Sequence, residues 1–187
     1  IWDRFMPYPK LASQQLPPEF IFIGAGSGAD QPFADASDVT RGLQEMLLPF
    51  PGALAPLPNA TNEFTPLLYS GTESGFVAYP DILQQGFLGP TGLNPNRPFV
   101  STKDAYVLAA RFSGEAGPWS PPPGDDGPMP TADINATLVA DIDCLYPFFF
   151  ALRAQGEADD GGLNINFDNV TFVLNCLLYT SPSPRDR

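Results

Sequence analysis

Two carboxylates at alternate positions, Asp141 and Asp143, are the residues in this sequence whose types and spacing could most directly do chemistry. They follow Thr137-Leu-Val-Ala140, the clearest buried strand of the chain. Ligands of α/β folds bind beyond the carboxyl ends of parallel strands, and two carboxylates in that place could hold Mg²⁺. The alternative is that one aspartate caps the following helix while the other is solvated. We favour capping, because no lysine or third carboxylate is identifiable nearby.

A glycine-rich segment, Gly24-Ala-Gly-Ser-Gly-Ala29, follows an earlier predicted strand and superficially fits a dinucleotide-binding turn. A helix should begin inside such a motif, yet Asp30, Pro32 and Asp35 follow it. We therefore interpret the segment as a turn whose glycines adopt positive φ, and we expect no nucleotide cofactor.

Three asparagines, Asn59, Asn135 and Asn169, stand in glycosylation sequons. About one such match would arise by chance in a chain of this composition. Asn169 sits where a helix should begin, so capping explains it better, and Asp168 beside it is predicted to cap the same helix.

The sequence contains no histidine, which excludes Ser-His-Asp and Cys-His nucleophile systems within this chain. Its two cysteines, Cys144 and Cys176, cannot form a zinc site alone, and they form a disulfide only if the fold brings them together. Nine Lys and Arg against 21 Asp and Glu give a net charge of −12, which repels phosphate backbones. Nucleic-acid binding is thus excluded, and we expect no catalytic residues, metal or cofactor.

Apolar runs and helical spacing predict the elements that would position these residues. The segments 20–23, 107–110 and 138–140 are predicted to be buried strands of one sheet, with helices over 143–154 and 168–177 packed on it. Strands that alternate with helices indicate an α/β fold with a mostly parallel sheet flanked by helices.

The chain divides into an extended lead-in over 1–18, a single domain over 19–177 and a tail over 178–187. Two long loops interrupt the domain. Residues 71–97 are predicted to be an ordered insertion held by its own side chains, and residues 114–131 to be the least ordered internal loop. The ends of the sequence suggest a domain fragment that is incomplete at both ends.

An ordered series of short segments carries a resemblance to a known family. The segments are Leu11-Ala-Ser-Gln-Gln15, Glu19-Phe-Ile-Phe-Ile-Gly24, Val39-Thr-Arg-Gly-Leu-Gln-Glu45, Phe64-Thr-Pro-Leu-Leu68, Asn94-Pro-Asn-Arg97, Tyr106-Val-Leu-Ala-Ala-Arg111, Val139-Ala-Asp-Ile-Asp143 and Phe167-Asp-Asn-Val-Thr-Phe-Val-Leu-Asn175. Together they resemble the soluble domain of GldG-like auxiliary subunits of ABC-2 type transporters, the gliding-motility-associated family, particularly its planctomycete-like members. The order and spacing of the segments carry this identification.

The resemblance implies a sheet related to flavodoxin-like or glutamine-amidotransferase-like folds. It also implies a domain held on the periplasmic side of the inner membrane by terminal membrane anchors, which works beside an ABC permease and an ATPase. Catalytic residues are not part of the family pattern. After Asn175-Cys-Leu177 the family would continue into an acidic turn, so we interpret Leu178-Tyr-Thr-Ser-Pro-Ser-Pro-Arg-Asp186 as a foreign ending.

We expect a non-enzymatic extracytoplasmic domain that binds partner subunits or cargo. Its candidate ligand-facing residues are those near predicted strand ends and the turn beside them: Asp141, Asp143, Arg111, Asn94 and Arg97. One alternative is a metal-dependent hydrolase or transferase that uses Asp141 and Asp143. Another is a carbohydrate- or peptide-binding module that uses the aromatic residues of the 71–97 insertion.

Overall fold

The computed structural model describes residues 1–8, 16–115, 133–156 and 165–180. Apart from its first two residues, the loop over 114–131 lies outside the described residues, as does most of the predicted tail. Within the described ranges, no helix has the length and apolar character needed to cross a membrane.

Nine strands, three α-helices and one 3₁₀ helix make up the described part of the chain. The strands are β1 (Trp2–Asp3), β2 (Phe20–Gly24), β3 (Glu45–Pro49), β4 (Glu63–Tyr69), β5 (Ser74–Gly75), β6 (Leu83–Gly86), β7 (Gly89–Leu93), β8 (Val107–Glu115) and β9 (Asp133–Val139). The helices are α1 (Tyr79–Ile82), the 3₁₀ helix (Ile142–Leu145), α2 (Pro147–Gln155) and α3 (Asn169–Thr180).

The largest sheet has the strand order β4-β8-β9, and both of its pairings are antiparallel. Its central strand, β8, is fully buried at Leu108, Ala109 and Ala110. Helix α3 lies against β9, and its Phe172 is fully buried in the same apolar cluster as Leu108. The small side chains of β8 suit a strand that is covered on both faces.

Strands β2 and β3 form a separate two-stranded ribbon whose two faces are both apolar. Ile21, Ile23, Met46 and Leu48 belong to one buried cluster, together with β4, β8 and α3. The alternate residues Phe22 and Leu47 belong to a second cluster, with Phe149, Phe167 and Val170. The ribbon therefore separates the two halves of the core, and this explains why its sequence is a continuous apolar run.

The predicted fold class is wrong. The segments 20–23, 107–110 and 138–139 are strands, but the first lies in the β2–β3 ribbon and the other two lie in the three-stranded sheet. Every pairing among the described strands is antiparallel. A mostly parallel, flavodoxin-like or glutamine-amidotransferase-like sheet is therefore excluded. The prediction of a parallel sheet was wrong because a continuous apolar run indicates a strand buried on both faces but does not indicate the direction of its neighbours.

The predicted helices are present as α2 and α3, although the first begins at Pro147 after a separate 3₁₀ turn. Leu138 remains 49 % exposed, contrary to the prediction of a buried strand there. These differences lie at element boundaries, where local propensity is weakest.

Residues 71–97 contain β5, α1 and the β6–β7 hairpin. Strand β5 pairs with β1, so the first residues of the chain are part of the packed structure, and Trp2 is only 1 % exposed. The insertion is therefore attached to the body of the domain at its beginning.

Candidate functional site

Asp141 lies two residues after the end of β9 and immediately before the 3₁₀ helix. Its Oδ1 accepts a hydrogen bond from the backbone amide of Asp143 at 2.8 Å, which is the geometry of a helix cap. The preceding residue, Ala140, is fixed on both sides: its amide donates to the carbonyl of Leu108, and its carbonyl accepts from the amide of Gly52. The capping interpretation of Asp141 is confirmed.

The second carboxylate oxygen of Asp141 is buried and has no hydrogen-bond partner among the described residues. Asp141 as a whole is only 8 % exposed. Burial raises the pKa of this carboxyl group to about 6, and the negative charge of Asp143 adds to the effect, whereas the bond from the Asp143 amide opposes it. Burial thus favours the protonated form of Asp141.

Asp143 is exposed whereas Asp141 is buried, so the two carboxyl groups occupy different environments. Within residues 1–8, 16–115, 133–156 and 165–180, no group of three or more His, Cys, Asp or Glu is arranged to hold a metal ion. The strand that precedes Asp141 is antiparallel, so the argument from the carboxyl ends of parallel strands does not apply here.

Cys144 and Cys176 are both thiols and both pack, half-buried, against the cluster that contains Phe172. Burial raises the pKa of each thiol, and that of Cys176 reaches about 11. The nearby charges of Asp141 and Asp143 also raise the pKa of Cys144. A thiol with a raised pKa carries little thiolate at neutral pH and is a weak nucleophile.

Arg111 lies in the middle of β8. Its Nε donates to Oδ1 of Asn135 on β9 at 2.8 Å. It lines a groove of about 350 Å³ between the sheet, the 34–39 loop and the end of α3, together with Glu63, Ser113 and Tyr179. Ser113 donates to Glu63 at 3.0 Å, so this groove has a polar floor.

Arg97 is bound inside the protein by Glu19, a residue that sequence reasoning missed. The two form an ion pair with a second, parallel bond from Nη2 of Arg97 to Oε2 of Glu19 at 2.9 Å. The Arg97 guanidinium also donates to the carbonyl of Asn94 at 2.7 Å and lies 5.1 Å from the ring centre of Phe99. Asn94 in turn donates through its side chain to the carbonyl of Asp81 at 3.1 Å.

The five candidate residues therefore lie in three places: the turn after β9, the middle of β8 and the base of the β6–β7 hairpin. Arg97 and Asn94 contact each other, as do Asp141 and Asp143, whereas Arg111 stands apart in its groove. Glu19 could not have been found by spacing, because 78 residues separate it from Arg97. Contact of these five residues with a ligand stays a prediction.

The glycine-rich turn after β2 has the backbone that the sequence predicted. Gly26 has a φ of 90° and Gly28 a φ of 88°. A Cβ at Gly28 would lie 2.3 Å from Oγ1 of Thr72, so the close approach also requires glycine. A groove of about 620 Å³ opens beside this turn, lined by residues 30–35 and 40–44.

Asn169, the first residue of α3, is fully buried and bonds to the protein with every part of its amide. Its Nδ2 donates to the carbonyls of Leu47 at 2.8 Å and Cys144 at 3.0 Å, and its Oδ1 accepts from the Leu47 amide at 3.1 Å. Asp168 was predicted to cap this helix, but its carboxylate accepts from the amides of Gln44 and Glu45. The hydrogen bonds of both residues thus join the start of α3 to β3 and the residue before it.

Comparison with known proteins gives one finding. The sequence profile of a family described as an ABC-type uncharacterized transport system matches residues 7–176. No curated protein and no solved structure matches the chain.

Proposed function

The chain belongs to the family of ABC-type uncharacterized transport system proteins, and from that membership we propose that it is a non-enzymatic, extracytoplasmic domain of an ABC transporter auxiliary subunit. Its role is associated with transport. The family match over residues 7–176 is the observation that carries this proposal. In finer terms, we assign it to the GldG-like, gliding-motility-associated type.

The use that the fold makes of its polar residues supports a role without catalysis. Asp141 caps the 3₁₀ helix, and Arg97 is neutralised by Glu19. Both polar atoms of the Asn169 side chain form hydrogen bonds with backbone groups. These residues hold elements together, which leaves the surface as the part of the domain that acts on other molecules.

We propose that the domain works beside a permease and an ATPase, and that it binds the permease or the transported cargo through the segment 142–150. Five large apolar side chains are exposed on it: Ile142 at 95 %, Leu145 at 37 %, Tyr146 at 57 %, Phe148 at 48 % and Phe150 at 49 %. Apolar side chains that are exposed close together mark interaction surfaces. Phe149 is buried in the second cluster and anchors the segment to the core.

The location follows from the same proposal. We place the domain on the periplasmic side of the inner membrane, tethered there by membrane anchors that lie outside these residues. Its net charge of −12 is repelled by anionic lipid headgroups, so we expect only uncharged parts of the domain to approach the membrane surface.

Co-purification of the full-length membrane protein tests the proposal. We expect a permease and an ATPase to be recovered with it, and Phe148→Ser to reduce their recovery. Leu57→Ser is the matched control, because Leu57 is 77 % exposed outside the segment. Recovery of neither partner, together with hydrolytic turnover that Asp141→Asn abolishes, would assign the domain to a metal-dependent hydrolase instead.

A further inference from the structure

The β6–β7 hairpin is an uncharged projection of this acidic protein. From Ile82 to Asn96 the sequence contains no Asp, Glu, Lys or Arg, although the chain has 30 such residues (9 + 21). Among the described strands, β6 and β7 pair only with each other, antiparallel, from Leu83 opposite Leu93 to Gly86 opposite Gly89. The hairpin therefore presents an uncharged surface on a protein whose net charge is −12.

Two large apolar side chains form the tip of the hairpin. Phe87 is 102 % exposed and Leu88 is 97 % exposed, so neither packs on the protein. Glycines flank them on both sides. A Cβ at Gly86 would lie 2.6 Å from Cγ2 of Thr91, and Gly89 has a φ of 123°, so the strands close tightly beneath the two side chains.

A second layer of exposed side chains lies just behind the tip. It consists of Gln84, Gln85 and Thr91, which are polar but carry no charge. From the tip inwards the hairpin thus changes from apolar to uncharged polar. The interface of a lipid bilayer changes in the same order, from acyl chains to hydrated headgroups.

The base of the hairpin is held firmly. The amide of Asn94 donates to the carbonyl of Ile82 at 2.9 Å, and its side chain donates to Asp81. The next turn is fixed by the buried pair of Arg97 and Glu19. A fixed base presents the tip at little cost in conformational entropy when the tip binds.

We propose that Phe87 and Leu88 insert into the interfacial layer of a lipid bilayer. The attraction of two uncharged apolar side chains is non-directional, and a fluid acyl layer satisfies it without a shaped pocket. No Lys or Arg lies in the hairpin, so binding does not depend on anionic lipids. The proposal rests on the hairpin alone and stands apart from the transport role.

Partition of the chain into phosphatidylcholine vesicles, measured by flotation at several lipid concentrations, tests this inference. We expect binding that is the same at low and high salt. The double variant Phe87→Ser/Leu88→Ser should lower the partition coefficient by more than about tenfold. The matched control is Leu57→Ser/Leu178→Ser, which removes two leucines that are 77 % and 71 % exposed elsewhere, and it should bind like the parent chain.

Circular dichroism of the hairpin variant checks that its fold is retained, which we expect because the tip makes no packing contact. The proposal is overturned if the parent chain does not partition, if the control variant loses binding equally, or if salt releases the chain. It is also overturned if sedimentation shows a dimer that the hairpin variant abolishes, because the tip would then bind a second copy.

Discussion

Glu19 and Arg97 form an ion pair in which the side chains are only 3 % and 9 % exposed, at the junction between β2 and the base of the β6–β7 hairpin. Two parallel bonds join them, and the hydrogen bond with Glu19 raises the pKa of Arg97 further. A buried pair of this kind is stable only while both partners are present.

Replacing either partner alone should therefore destabilise the protein strongly. We expect Arg97→Met to lower the free energy of unfolding by about 3–5 kcal/mol, because it leaves the carboxylate of Glu19 buried without its hydrogen-bonded arginine partner. Urea unfolding followed by circular dichroism measures this. Arg41→Met is the control: its pair with Asp38 is 76 % and 52 % exposed, so less than about 1 kcal/mol should be lost.

The double variant Glu19→Leu/Arg97→Met separates the two explanations of such a loss. Because it removes both charges, it should be clearly more stable than Arg97→Met. Equal stability of the single and double variants would mean that packing of the arginine stem, and not its charge, is responsible.

Asp141 should make stability depend on pH between about 4 and 6. Its pKa is raised from 3.8 to about 6 in the folded protein, so folding favours the protonated form. The stabilisation is complete below the unfolded pKa and is lost as the pH rises through the folded pKa. Asp141→Asn should remove about 1–3 kcal/mol of this pH dependence, measured by urea unfolding across the range.

Two comparisons make the pH experiment specific. Asp3 and Glu45 also have raised pKa values, mainly from burial. Their contribution to the dependence of unfolding free energy on pH has the same sign as that of Asp141, so every variant should retain part of this dependence. Asp143→Asn removes only the charge repulsion that adds to the raised pKa of Asp141, so it should slightly weaken the dependence of unfolding free energy on pH. A slope in Asp141→Asn identical to that of the parent chain would show that Asp141 titrates normally.

Asn169→Ala should lower the free energy of unfolding by about 2–4 kcal/mol. The change leaves the amide and carbonyl of Leu47 and the carbonyl of Cys144 without their side-chain partner in a fully buried place. Asn175→Ala, on the same helix, removes one bond to the carbonyl of Val39 and should cost about 1 kcal/mol. A loss no larger than that of the control would contradict the role assigned to Asn169.

Cys176 should react slowly with alkylating reagents. With a pKa of about 11, about one molecule in a thousand carries the thiolate at pH 8. Iodoacetamide labelling followed by mass spectrometry should show slow modification of the folded chain and fast modification in guanidinium chloride. Prompt labelling of the folded chain at pH 8 would show that the thiol is neither buried nor shifted.

Three of the nine described strands could be found from the sequence, but their partners could not. The apolar runs at 20–23 and 107–110 indicate strands correctly, because each is short, β-prone or small in its side chains, and covered on both faces. Direction and pairing depend on contacts between residues far apart in the chain. Ile21, for example, pairs with Leu48 across a loop of no regular structure, which no local pattern reveals.

The candidate residues show the same limit. Asp141 could be interpreted as a cap because the evidence for capping is local: a strand end, an aspartate and a turn. Arg97 could not be recognised as half of a buried pair, since Glu19 lies in the segment before β2. Asn169 matched a sequon, and only the fold shows that its amide is wholly used by Leu47 and Cys144.

The two apolar faces of the β2–β3 ribbon have a consequence for register fidelity. In a strand with one polar face, a slip of one residue exposes the apolar side chains and is strongly penalised. Here a slip would only exchange Phe22 and Leu47 for their equally apolar neighbours, so the side-chain pattern discriminates weakly. The amide of Asn169 bonds both backbone groups of Leu47, as a neighbouring strand would. One side chain from 122 residues away thus fixes the position of β3 against α3, and a slip of the ribbon would have to move β2 alone.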